Sequence, residues 1–142
     1  MKAVIQRVNG ATLSVDGKVV SAIGRGLAVY LGIFDADTMS DVDKFCKKLV
    51  AMRIFEDENG KLNLSVRDIG GSVLLVSNFT LCGDISRGNR PDFRLAMKPE
   101  PAQRLFDECA RALNSLVPTV TGVFGADMTV EQSNAGPVTI IY

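Results

Sequence analysis

Two short segments set hydroxyl and amide side chains into otherwise apolar sequence. One is Ser77-Asn78-Phe79-Thr80, inside the run Val73 to Leu81; the other is Asn134-Ala135-Gly136-Pro137-Val138-Thr139, which feeds the last strand. A hydroxyl can attack an acyl carbon or steady a developing oxyanion, and rigid elements hold such groups better than loops do. A plainer account exists for each segment alone. Threonine suits a half-buried strand and small hydroxyls satisfy themselves locally, while Asn, Gly and Pro mark turns for backbone reasons. Only read together do the two segments call for more.

The chain contains no histidine. It cannot build a Ser-His-Asp or Cys-His pair, a histidine-ligated zinc site or an imidazole acid/base. Cys46, Cys82 and Cys109 are odd in number, far apart in sequence and never in a Cys-x-x-Cys spacing. That fits neither a zinc knuckle nor a disulfide framework and suits a reducing, cytoplasmic setting. No metal or organic cofactor is expected. The 142 residues, 46% hydrophobic and 23% charged, with 16 cations balancing 16 anions, describe one globular domain over 1–142 with a genuine core. Gln6, Arg7 and Asn9 interrupt any apolar run that a signal peptide would need. The longest apolar stretch, Leu27 to Phe34, is far shorter than the roughly 18 residues of a membrane span, so no membrane is expected.

The elements that must carry these groups follow from periodicity. Lys2 to Asn9 alternates as a strand; Ala11 to Val15 and Lys18 to Ile23 flank Asp16-Gly17, a type I′ hairpin signal. Gly26 to Phe34 is apolar nearly throughout, as a central strand covered on both faces would be. Ser40 and Asp43 suggest a capped helix from Ser40 to Arg53, with Val42, Phe45, Cys46, Leu49 and Met52 on one stripe. Lys61 to Val66 and Val73 to Leu81 read as strands, and Cys82 to Lys98 as a long polar loop of the kind that carries function. A second helix runs from Pro101 until Pro118 ends it, striped by Ala102, Leu105, Phe106, Cys109, Leu113 and Leu116. Val120 to Phe124, Met128 to Gln132 and Val138 to Ile141 complete the strands. The expected fold is α/β: a sheet-rich single domain, two helices on a mixed or antiparallel sheet, three layers in all.

Read in order, the chain resembles the D-aminoacyl-tRNA deacylase family. The resemblance rests on Ala3-Val4-Ile5-Gln6-Arg7-Val8, Leu27 to Phe34, Arg53 to Asp57, Lys61 to Val66, Ser77 to Leu81, Arg87-Gly88-Asn89-Arg90-Pro91, Phe124 to Met128 and Asn134 to Thr139. The diagnostic pair is a Ser-Gln-x-Thr and an Asn-x-Gly-Pro-Val-Thr motif. The second is complete here; in the first, Asn78 stands where the family has Gln, keeping the amide with one methylene less reach.

The resemblance implies hydrolysis of the ester joining a D-amino acid, or glycine, to the 3′-terminal ribose of tRNA. It implies a homodimer whose active site lies at the interface, with Ser77, Asn78, Phe79 and Thr80 catalytic. Asn134, Gly136, Pro137, Val138, Thr139 and Arg7 then bind substrate, the Gly136-Pro137 turn of one protomer, expected to be cis, entering the pocket of the other. Glycine allows the backbone to approach a ligand with no Cβ between them, so L side chains would be excluded for want of room. For the bond-breaking step, either Thr80 is a nucleophile, which needs a base this chain does not offer, or the vicinal ribose hydroxyl assists water while N–H groups near Phe79 and Thr80 hold the oxyanion. Between Arg87 and Lys98 the cations Arg87, Arg90, Arg94 and Lys98 face a single Asp92. They are either solvated surface or phosphate contacts for the acceptor end, the expected partner in place of DNA. Arg7 could instead brace the Gly136-Pro137 turn, and Phe79 could stack on a base or fill the core, the core being the expectation. From another class, a binding module without catalysis would use the same scaffold.

Overall fold

The computed structural model describes residues 1–142. Its strands are β1 (Lys2–Val15), β2 (Lys18–Ile23), β3 (Gly26–Gly32), β4 (Phe55–Glu56), β5 (Leu62–Leu64), β6 (Ser72–Ser77), β7 (Thr119–Thr121) and β8 (Thr129–Ile141); the helices are α1 (Met39–Ala51) and α2 (Pro99–Asn114). Asp16 and Gly17 take φ of 50° and 73°, as a type I′ turn requires, and close the β1–β2 hairpin with Val15 opposite Lys18. The main sheet is ordered β2-β1-β3-β6-β7, with β8 antiparallel to β1; β4 and β5 form a separate ribbon. β3 is buried at nearly every position, the central strand its composition predicts.

The pairs β3–β6 and β6–β7 are parallel, so each needs a crossover, and α1 and α2 lie in those two crossovers. Crossovers of one hand along one strand direction bring both helices to the same face. One 20-residue core accordingly joins Ala3, Ile5, Val29 and Leu75 of the sheet to Phe45 and Leu49 of α1 and Phe106 and Leu113 of α2. On the opposite face only six residues, among them Val8, Leu13, Leu74 and Val76, form a buried cluster, with Tyr30, Met128 and Val130 packed against it.

Several boundaries differ from expectation: β3, β5 and β7 end earlier, at Gly32, Leu64 and Thr121, and three further differences have clear causes. β1 is continuous, with a register shift absorbing Asn9, because strand pairing on both sides overrides the local interruption at Gly10. α1 is capped by Thr38 rather than Ser40: the Asp41 carboxylate accepts the Thr38 backbone N–H at 3.0 Å and its hydroxyl at 2.8 Å, which holds that carboxyl below its ordinary range. α2 starts at Pro99 and ends at Asn114, leaving Leu116 beyond it and partly exposed. Cys46 and Cys109, remote in sequence, meet as buried free thiols between the helices with sulfurs 3.6 Å apart. The contact with Cys46, together with burial, pushes the Cys109 thiol up. No helix is long and apolar enough to cross a membrane.

Candidate active site

The first polar segment is not strand throughout. β6 stops at Ser77, Asn78 turns the chain, and Phe79–Cys82 form one 3-10 turn. Gly32 permits this reversal: a Cβ there would lie 2.9 Å from Leu81 Cβ and 3.1 Å from the Asn78 carbonyl oxygen. The turn's own bonds run from the Leu81 and Gly83 N–H groups to the Asn78 and Thr80 carbonyls. The first N–H groups of such a turn, at Phe79 and Thr80, have no acceptor inside it. The Thr80 hydroxyl donates to Asn78 Oδ1 at 2.5 Å. An amide oxygen is not a base, so this contact orients the hydroxyl without activating it. Phe79, expected in the core, is 60% exposed, because leaving the strand swings it outward onto Phe93. Their rings meet edge-on with centroids 5.2 Å apart.

The turn forms one wall of a cavity of about 710 Å³. The other walls come from Tyr30 of β3, the loop end from Phe93 to Pro99, and Phe124 to Met128. The loop is held to the sheet by N–H bonds from Asp35 to the Leu95 carbonyl and from Met97 to the Ile33 carbonyl. Farther out, the Asp84 and Asp92 carboxylates accept the N–H groups of Ser86 and Arg94, and those bonds hold both below the usual carboxylate range. Of the four loop cations only Lys98 lines the cavity. Arg94 is paired with Asp92 at 2.6 Å, and Arg87 and Arg90 are exposed on the loop.

The second polar segment is not a turn between strands; it lies inside β8. β1 partners β8 through Gln6 with Thr139 and next through Val8 with Asn134, so Ala135, Gly136, Pro137 and Val138 bulge out opposite Arg7 alone. Gly136 has φ +120°, and the Gly136-Pro137 bond is cis. A Cβ on Gly136 would sit 2.9 Å from the Val138 nitrogen and 3.2 Å from Arg7 Nη2. Arg7, 8% exposed, is not free to meet a phosphate. Its guanidinium donates to the Ala135 carbonyl at 3.1 Å and the Ile54 carbonyl at 2.9 Å, and reaches Glu56 at 3.5 Å. Bracing is the alternative the structure supports.

Thus Ser77, Asn78, Phe79, Thr80 and Lys98 share one cavity, whereas Asn134, Gly136, Pro137, Val138, Thr139 and Arg7 lie outside its lining in the same chain. Sequence reasoning missed Tyr30 and Asp127 as cavity residues. The apolar run around Tyr30 hides it; Asp127 stands in a segment that carries the resemblance but whose residues read by pattern as a connection between strands. Fold and site together define a class: an α/β enzyme whose pocket presents hydroxyl, amide and backbone groups in place of imidazole.

Residues 4–142 match the family model described as D-Tyr-tRNA(Tyr) deacylase. The chain is 52% identical over 141 residues to the D-aminoacyl-tRNA deacylase of Persephonella marina, covering 99% of this chain and 96% of that protein. It is 49% identical over 142 residues to the one from Geobacter sulfurreducens, covering 99% and 93%. Among solved structures, the c-Myc DNA Unwinding Element Binding Protein superposes with TM-score 0.95 at 42% identity, covering 100% of this chain and 97% of that one. A probable eukaryotic D-amino acid tRNA deacylase, at 17% identity and TM-score 0.86, covering 99% and 97%, shares the fold. The chain belongs to the D-aminoacyl-tRNA deacylase family of hydrolases.

Proposed function

We propose that this chain is a homodimeric, cytoplasmic chiral-proofreading hydrolase. It cleaves the ester of D-aminoacyl-tRNA, and of mischarged glycyl-tRNA, at the 3′ acceptor end. The observation that carries the reading is the division of the two motifs: a cavity built without Asn134–Thr139, and a bulge whose Gly136 and Pro137 are exposed outside that cavity's lining. In a two-fold dimer each protomer lends its Gly136-Pro137 bulge to the other's cavity. Backbone there faces the substrate's Cα, leaving no space for an L side chain while a D side chain points away and glycine has nothing to reject. Val138 and Thr139 finish the bulge, Asn134 begins it, and Arg7 holds it from below.

For the chemical step the substrate's own vicinal ribose hydroxyl assists the attacking water, and the Phe79 and Thr80 N–H groups hold the oxyanion as charge develops. Ser77 and Asn78 shape the turn that aims them. The Thr80 contact with a neutral amide favours this over a threonyl-enzyme, since no base takes the hydroxyl proton. Lys98 at the cavity and Arg87, Arg90 and Arg94 along the loop meet phosphates.

The test is release of free D-tyrosine from D-Tyr-tRNA under conditions in which L-Tyr-tRNA survives. Repetition with a 2′-deoxy terminal adenosine should stop turnover, and full activity on the deoxy substrate would refute substrate assistance. Thr80→Ala should slow single-turnover hydrolysis about tenfold, a tenth of what losing a full oxyanion donor costs, because the backbone donors remain. A collapse to the uncatalysed rate would restore the nucleophile.

A further inference from the structure

Gln6 and Arg7 are neighbours on β1 and therefore point to opposite faces of the sheet. Arg7 grips the Ala135–Val138 bulge from the helical face. On the other face a second set of contacts closes the base of the same bulge. Gln132 Nε2 donates to Asn134 Oδ1 at 2.7 Å and to Gln6 Oε1 at 2.5 Å; Gln6 Nε2 makes a long contact of 3.5 Å with Thr139 Oγ1. Asn134 and Thr139 are the two residues at which β8 leaves and rejoins its ladder with β1. The Gln6–Gln132 amide pair thus bridges the neck of the bulge. Gln132 Oε1 in turn accepts the Tyr30 hydroxyl at 2.8 Å, and Tyr30 lines the catalytic cavity. Both N–H groups and the oxygen of the Gln132 amide are therefore engaged. Burial raises the Tyr30 pKa, so its hydroxyl remains a donor at neutral pH.

We propose that Gln132, with Gln6 and Tyr30, is a positioning residue for chiral discrimination. The three form an amide clamp that fixes the height at which the Gly136-Pro137 bulge stands above the sheet and ties it to the cavity wall of its own protomer. Function enters only through the reading above, on which this inference rests. A four-residue bulge held on one face by Arg7 alone could pivot about that side chain. A grip on the opposite face removes the pivot. The consequence falls on selectivity more than on turnover, because rejecting an L side chain depends on a backbone surface staying within a fraction of an ångström of the substrate's Cα.

Gln132→Met keeps the volume and removes every amide contact; Tyr30→Phe removes one hydroxyl and leaves the fold's packing intact. Hydrogen exchange of the segment 133–139, followed by mass spectrometry, should quicken about tenfold in Gln132→Met and less in Tyr30→Phe, with the core strands unchanged. In the same preparations the ratio of D-Tyr-tRNA to L-Tyr-tRNA hydrolysis should fall about tenfold, mainly through faster loss of the L substrate. Unchanged exchange in 133–139 overturns the clamp. Quickened exchange with a wild-type D to L ratio reduces it to a structural contact and overturns its role in selectivity. If Gln132→Met does not fold, Tyr30→Phe decides both points alone. Should the unmodified protein fail to prefer D-Tyr-tRNA, the functional reading falls, while exchange still decides the clamp.

Discussion

The Ser77–Thr80 turn and the Ala135–Val138 bulge both break a strand, yet they are built in opposite ways. The turn caps β6, sits on Gly32 and looks into a cavity closed by three other segments of the same chain. The bulge leaves an outer strand whose residues alternate between exposed and half-buried, and it is held at its base by side chains from both faces of the sheet. The turn owes its shape to backbone packing, the bulge to a guanidinium and a few amides. A site half that must only present N–H groups can be rigid through its fold; one that must be displayed to another surface needs braces that leave its outer face clear.

The sharpest way to break this contrast is at Gly136. In Gly136→Ala the new Cβ meets the Val138 nitrogen and Arg7 at a φ of +120°, where L residues are strained, so the bulge must move. D-aminoacyl-tRNA turnover should drop roughly 100-fold, as misplacement by an ångström does, with far-UV circular dichroism unchanged. Retained turnover would mean the bulge does not touch the substrate. Arg7→Leu comes next. It strips donors from the Ala135 and Ile54 carbonyls and should cost about 3 kcal/mol in urea unfolding, with Arg7→Lys restoring only part because one ammonium cannot span both acceptors. Equal stability of the Lys variant and the unmodified protein would show that the charge alone matters.

Smaller effects separate the cavity side from the bulge. Arg87→Gln with Arg90→Gln should weaken tRNA binding uniformly across tRNAs and lower the salt slope of log K by about 1 for each phosphate left without its cation. An unchanged slope would return both to solvated surface. The smallest effect is acid loosening of the loop. Asp84 and Asp92 are held below the ordinary value of 3.8 by the N–H groups they accept, so their contribution is complete above that value and lost as pH falls through their depressed folded values. Hydrogen exchange of residues 84–94, corrected for intrinsic rates, should rise below about pH 3.8 while 133–139 changes less. The bulge rests on Arg7 bonds to backbone carbonyls and on neutral amides, with the Glu56 carboxylate reaching Arg7 only at 3.5 Å. Equal loosening of both would make the Glu56 contact with Arg7 an essential part of the brace.

The regions also differ in how far sequence reveals them. Residue types mark Ser77, Asn78 and Thr80, but Val73 to Leu81 reads as one strand, since Phe79, Leu81 and Cys82 keep an apolar pattern through the turn. What ends the strand is room above Gly32, a tertiary fact. Asn134 to Pro137 reads as a turn because turn residues are chosen for φ, and a bulge asks for the same φ. Whether such a segment joins two strands or swells one is decided by the partner strand, here β1, which pairs on both sides of it.

Periodicity by itself determined the helical stripes, the central strand and the Asp16-Gly17 hairpin, because each is a local agreement between residue type and backbone. The absence of histidine was equally visible, and it leaves hydroxyls, amides and backbone donors to carry the chemistry. Only the tertiary structure decided that both helices share one face, that Arg7 is a buried brace, and that the two motifs stand apart within one chain. These are contacts between residues as far apart as Arg7 and Ala135. A linear sequence carries no measure of which distant groups the sheet will bring within hydrogen-bond reach.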